Sequence, residues 1–101
     1  MTALALDFNE LETGAQKAFE TGAFERAISI YTWMADGDQS LDGGYLAERL
    51  GECYEQLGNL FVAHYWYNRA VEQNPEVCLK AQEALKRLDQ LNVADLLKDT
   101  P

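Results

Sequence analysis

Ala47-Glu48-Arg49-Leu50-Gly51-Glu52-Cys53-Tyr54-Glu55-Gln56-Leu57-Gly58-Asn59, continuing through Leu60, Ala63, Tyr67 and Ala70 to Pro75, is the stretch whose reading decides the fold. Small residues recur at Gly51, Gly58, Ala63 and Ala70, and the large residues Leu50, Tyr54 and Tyr67 stand between them. Two antiparallel helices joined by a tight turn at Gly58-Asn59 satisfy this spacing. The small residues let two backbones approach, and the large ones fill the space beside them. Proline at position 75 ends the unit, because it has no N–H to give a helix interior.

The set Leu50-Gly51, Tyr54, Gly58, Ala63, Tyr67, Ala70 and Pro75 resembles the tetratricopeptide (TPR) repeat, a helix–turn–helix unit of about 34 residues. The resemblance implies an all-α, TPR-like α-α superhelix and a scaffold that binds other proteins. A second copy emerges when the chain is laid on itself at a shift of 36 residues: Gly58 falls on Gly22, Leu60 on Phe24, Ala63 on Ala27 and Tyr67 on Tyr31. Gly51 falls on Ala15, Tyr54 on Ala18 and Ala70 on Met34, while Leu50 on Gly14 and Pro75 on Gln39 depart from the pattern. The surplus over the usual repeat length falls in 36–44, a polar stretch rich in Gly and Asp that reads as a loop. One domain over 1–101 is expected, with a degenerate repeat at 8–41, a well-matched repeat at 44–77 and a capping helix at 75–91.

Five helices and a short C-terminal turn follow from local signals. Asp7 with Glu10 three residues on opens a first helix that runs to Glu20. Thr21-Gly22 turns the chain, and Phe24–Ala35 returns it. Asp42 or a close neighbour opens a third helix ending near Leu57, and Leu60–Gln73 is the fourth. Asn74 caps a fifth helix whose first position is Pro75 and whose apolar stripe is Val77, Ala81, Ala84, Leu85, Leu88 and Leu91. Val93–Lys98 forms the last turn. The fifth helix has the character of a terminal cap, which repeat arrays need to keep their last apolar face dry.

Composition narrows the functions. The chain has 48% apolar and 25% charged residues, as folded domains do. Its 17 acidic against 8 basic residues leave a net charge of −9. Nucleic-acid binding needs clustered Lys and Arg, and anionic membrane surfaces need the same. A basic partner, or simple solubility, fits the sign better, and the partner expected is another protein or peptide, basic or amphipathic. No apolar run approaches the roughly 20 residues that span a bilayer, and Met1–Leu6 lacks the cationic start of a secretory signal. Cys53 and Cys78 fall within expected helices and read as reduced, packed thiols, so the expected location is cytoplasmic.

Catalysis has little support in the residues, no enzyme activity is expected, and no cofactor or metal is implied. His64 is the only histidine, and a Cys53–His64 nucleophile pair would place its cysteine mid-helix, away from a helix N-terminus that activates thiols. Asp36, Asp38 and Asp42 lie in a Gly-bearing loop, but the closing glutamate of a calcium loop is missing.

Two surfaces stand out as partner sites. The resemblance implies a concave groove lined by the first helix of each repeat. It would carry Asn9, Glu12, Gln16, Phe19 and Glu20 from one repeat and Tyr45, Glu48, Glu52, Glu55 and Gln56 from the other. A TPR groove that clamps a C-terminal carboxylate uses Lys, Arg and Asn there, so Glu12, Gln16, Glu48 and Glu52 oppose that ligand and make the face either a site for basic side chains or a merely solvated acidic surface. The second surface is the fourth helix, Leu60-Phe61-Val62-Ala63-His64-Tyr65-Trp66-Tyr67, apolar or aromatic almost all round. Leu60, Ala63, Tyr67 and Ala70 serve the repeat core, which leaves Phe61, Tyr65 and Trp66 as an interface, or as a face covered by Val93–Leu97. An adaptor or small chaperone is the leading expectation, and a subunit that self-associates into a homo-oligomer through the aromatic helix is the alternative.

Overall fold

The computed structural model describes residues 7–37 and 43–90. These form five α-helices: α1 Phe8–Glu20, α2 Phe24–Asp36, α3 Tyr45–Gln56, α4 Leu60–Gln73 and α5 Leu79–Asp89. Each helix packs on its neighbours in the chain, and α3 also touches α5. The fold is all-α.

Local chemistry sets the boundaries of the first two hairpins. The Asp7 carboxylate accepts the Glu10 N–H at 2.7 Å and opens α1, and the Asn59 side chain does the same for Val62 at 3.3 Å at the start of α4. The turns that close α1 and α3 are the same structure made twice. Ala23 N–H reaches back to Ala18 C=O at 2.8 Å, as Asn59 does to Tyr54 at 2.9 Å, and Gly22 and Gly58 sit at φ +84° and +82°. This is the double-bonded helix end in which a left-handed glycine frees the chain to turn. Residues 36 apart therefore take matching places, with Ala27 and Ala63 fully buried and Tyr31 and Tyr67 both in the core.

That core is one cluster running from Ala15 in α1 to Leu88 in α5, with Tyr31, Leu46, Leu50, Cys53, Tyr67 and Cys78 as its largest fully buried side chains. Gly51 is expected where two backbones meet. Instead it seats a ring: a Cβ there would stand 2.6 Å from Tyr67 Cδ1 and 2.7 Å from Cε1.

Two helix starts are set by contacts the sequence does not show. α3 begins at Tyr45, and the neighbour of Asp42 that opens it is Gly44, at φ +93°. A Cβ at Gly44 would meet the Ala70 carbonyl and Cys78 Sγ, each at 2.8 Å, so the start of α3 is fixed by close packing against α4 and the residue before α5. α5 begins at Leu79 and not at Pro75. The Asn74 carbonyl accepts the N–H groups of Val77 at 3.3 Å and Cys78 at 3.0 Å, which makes 75–77 a separate turn. Val77 is consequently 69% exposed and takes no part in the apolar stripe, which is carried by Ala81, Ala84 and Leu88 with Leu85 beside them. Leu91, the turn expected at Val93–Lys98, the cover expected from Val93–Leu97, and the acidic loop positions Asp38 and Asp42 lie outside the described residues.

Candidate functional site

The residues expected to line a groove divide into two cavities and three positions outside them, Gln16, Glu20 and Glu48. Phe19 of α1 and Glu52, Glu55 and Gln56 of α3 border a cavity of about 230 Å³ that α5 completes with Lys80, Glu83 and Arg87. Asn9 and Glu12 of α1 and Tyr45 of α3 border a second cavity of about 400 Å³, closed by Phe8 and by Met34 at the end of α2. Gln16 stays on the surface, where its side-chain amide donates to Glu20 at 3.2 Å. Glu48 turns to α5. That helix has no side-chain cap of its own, and the Glu48 carboxylate accepts the Ala81 N–H at 2.9 Å across the interface. An anion at that end suits both the unpaired N–H groups and the helix dipole. Burial pushes the Glu48 carboxyl above the usual carboxylate range and the nearby Glu52 adds to the rise, although the Ala81 N–H works against both.

Two carboxylates of the first cavity, Glu52 and Glu55, are engaged. Tyr67 donates its hydroxyl to Glu55 at 2.7 Å, and Arg87 donates to both oxygens of the same carboxylate at 2.8 and 2.7 Å. Glu52 accepts from Arg49 at 3.1 Å. The face that is acidic along α3 thus becomes mixed in sign once α5 is beside it. Spacing along α3 shows the glutamates and the Arg49 partner of Glu52; only the packing of α5 shows Arg87 on Glu55.

Arg49 is the residue the sequence reading passed over. Its guanidinium lies 4.2 Å from the centre of the Phe19 ring, and its Nε donates to the Tyr31 hydroxyl at 3.2 Å. The Tyr31 and Tyr45 rings meet edge to face, and Tyr45 donates its hydroxyl to Glu12 Oε2. A polar seam therefore runs from α1 through α2 to α3, inside the edge of the groove. Burial raises the Tyr31 and Tyr45 phenols above their ordinary range, so both stay neutral, Tyr45 as a donor to Glu12 and Tyr31 as the acceptor from Arg49. The available signal was that Arg49 is the only basic residue in Tyr45–Gln56.

On α4 the expected interface splits. Phe61 is 54% and Tyr65 51% exposed, but Trp66 is half-buried and packs against the core. Tyr65 meets Trp66 edge to face at 5.1 Å. The Arg69 guanidinium stands within 6 Å of both ring centres, at 5.8 and 5.9 Å, and donates to the Tyr65 hydroxyl at 2.8 Å. The chain's own cation therefore partly covers this pair. Trp33 on α2, 59% exposed, is a further aromatic that the sequence reading did not single out.

Groups with reactive potential are tied into structure. Cys53 is buried in the core, and that burial pushes its thiol up to about 11. His64 bridges helices, with Nε2 2.8 Å from Asp89 Oδ1 and Nδ1 3.2 Å from the Asn68 amide. Among the described residues, no three or more His, Cys, Asp or Glu side chains gather as a metal site, and no helix is long and apolar enough to cross a membrane.

Compared with protein-family models, with curated proteins and with solved structures, the chain matches none.

Proposed function

We propose that the chain is a non-catalytic, TPR-like polypeptide-binding module, an adaptor or small chaperone that takes a basic or amphipathic segment along the face formed by α1, α3 and α5. The observation that carries this reading is the pair of cavities on that face, both edged by aromatic rings and carboxylates. Concave sites with a few convergent polar groups are where ligands bind by default. The repetition of the α1–α2 and α3–α4 turns supports the TPR assignment. The Cys53 thiol, held protonated at neutral pH by burial, supports a non-catalytic role.

The test is a titration of the ¹⁵N-labelled chain with a designed Lys/Leu amphipathic peptide and with its Glu/Leu counterpart. The basic peptide is expected to shift the amides of Phe19, Glu52, Glu83 and Arg87 and the acidic one to leave them in place. Equal effects from both, or shifts confined to α4, would overturn the reading. The exposure of Phe61 and Tyr65 favours a second reading, self-association through α4. A solution mass of twice the 11.4 kDa chain, reduced by Phe61→Ser with Tyr65→Ser, would establish it.

A further inference from the structure

We propose that the cavity between the start of α1, the end of α2 and the start of α3 is a lysine pocket, in which the ammonium of a partner's side chain meets the Oε1 atom of Glu12. The proposal rests on the polypeptide-binding reading and gives that reading a chemical anchor.

Glu12 has two carboxylate oxygens with different fates. Oε2 accepts the Tyr45 hydroxyl, whereas Oε1 is closed from bulk water and has no hydrogen-bond donor among the described residues. A buried carboxylate oxygen without a donor is a costly arrangement, because it has given up water and gained nothing in return. The nearest described cation of the polar seam, Arg49, is committed to Tyr31 and Glu52. The segments that flank the cavity in sequence, 1–6 and 38–42, contain no Lys, Arg or His. A side-chain cation for Glu12 therefore has to come from beyond these neighbours, and a net charge of −9 draws one in.

The walls suit a lysine. Phe8, Met34 and Tyr45 form an apolar and aromatic lining, and the Asn9 amide stands at the side. Such walls take a four-carbon stem by apolar contact and favour an ammonium near the ring faces. The volume, about 400 Å³, lies in the range of roughly 300–1,000 Å³ found for small-ligand sites. Arginine fits less well, since its planar fork gains most from pairing with both oxygens of a carboxylate, and Tyr45 already holds one. An ammonium needs one acceptor at a time. Because Oε1 is closed off as the side chains stand, an ammonium reaches it only when the lining moves, and Phe8, the first residue of α1, is about half exposed and so has room to swing aside.

The experiment uses the full ¹⁵N-labelled chain and three small probes: N-acetyl-lysine methylamide, its arginine counterpart and its norleucine counterpart. The lysine probe is expected to shift the amides of Asn9, Glu12 and Tyr45 at millimolar concentration, the arginine probe less, and norleucine least. Glu12→Gln keeps an acceptor for Tyr45 and removes the charge, and should raise the dissociation constant of the lysine probe about tenfold, as losing a charge-assisted hydrogen bond does. Phe8→Ala removes a wall from an exposed position and should weaken the probe severalfold, with thermal unfolding confirming that both variants stay folded. Norleucine binding as well as lysine, or lysine binding unchanged in Glu12→Gln, would overturn the pocket, as would shifts absent from these three residues. Two results separate this proposal from the reading beneath it. A Lys/Leu peptide that binds the α1, α3 and α5 face equally in the parent and in Glu12→Gln ends the lysine pocket and leaves the polypeptide reading standing. Probe binding without peptide binding does the reverse.

Discussion

Gly51 and Glu48 show how single residues of α3 hold α4 and α5 in place. At Gly51 the ring of Tyr67 occupies the space a Cβ would need, and that ring is fixed by burial and by its hydroxyl on Glu55. Replacing Gly51 by Leu forces the ring out of its seat, and overpacking of this kind costs about 1–3 kcal/mol. In a domain of this size each kcal/mol lowers the melting temperature by roughly 4–8 °C, so a thermal melt resolves it. A melt identical to the parent's would remove Gly51 from its place in the repeat. Glu48 carries a pH signature. Its carboxyl is raised on folding by burial, so its favourable contribution is present below the unfolded value and is lost as pH rises through the folded one. At neutral pH the ionised group therefore works against stability while its oxygen caps α5. Glu48→Gln keeps the acceptor and should melt at or above the parent at pH 7, with the gap closing as pH falls toward the ordinary carboxylate range. Glu48→Ala removes the cap and should cost about 0.5–2 kcal/mol at acid pH, and less at pH 7, where the ionised group already works against stability.

At the level of elements, α4 separates what was legible in the sequence from what was not. Its bounds were legible because Gly58-Asn59 and Leu60 carry a local turn and start signal, and its apolar excess was visible because the chain is nearly devoid of polar residues over 60–67. The burial of Trp66 was not visible, since it depends on which neighbouring helix lies beside that ring. Two groups of substitutions test the split. Phe61→Ser with Tyr65→Ser removes exposed rings and should change stability by less than about 0.5 kcal/mol, with helical circular dichroism intact. Trp66→Ser removes a ring packed on the core and should cost about 2 kcal/mol or more. Equal costs for the two would place all three rings in one environment and contradict the observed packing. The start of α5 was misread for a related reason. Pro75 is a good first helical residue by local rule, but the cap that fixes this helix comes from Glu48 on α3 and is invisible to any local rule. The groove was legible to the same extent: the positions on α1 and α3 follow from the repeat pattern, whereas Arg87 on Glu55 and Arg49 on Tyr31 join helices that only the packing brings together.

For the molecule as a whole, the governing quantity is a net charge of −9 spread over a surface whose groove is locally mixed in sign. Long-range attraction of a basic segment comes from the whole charge, whereas the contacts made after docking come from few groups, several already paired within the chain. These two contributions respond differently to salt. At about 0.1 M the screening length is about 10 Å, so distant exposed charges are screened and partly buried pairs much less. Raising salt from about 50 to about 500 mM should therefore slow association of a Lys/Leu peptide about tenfold or more, while its dissociation rate changes little. Stopped-flow fluorescence with a labelled peptide reads both rates. If dissociation rather than association carried the salt dependence, exposed ion pairs formed in the complex would be holding the peptide, and the engaged carboxylates Glu52 and Glu55 would have to exchange Arg49 and Arg87 for the ligand. An affinity unmoved by salt would take the binding energy out of the acidic face altogether and place it on the rings of α4, where Phe61 and Tyr65 offer apolar area and Arg69 stacks on Tyr65.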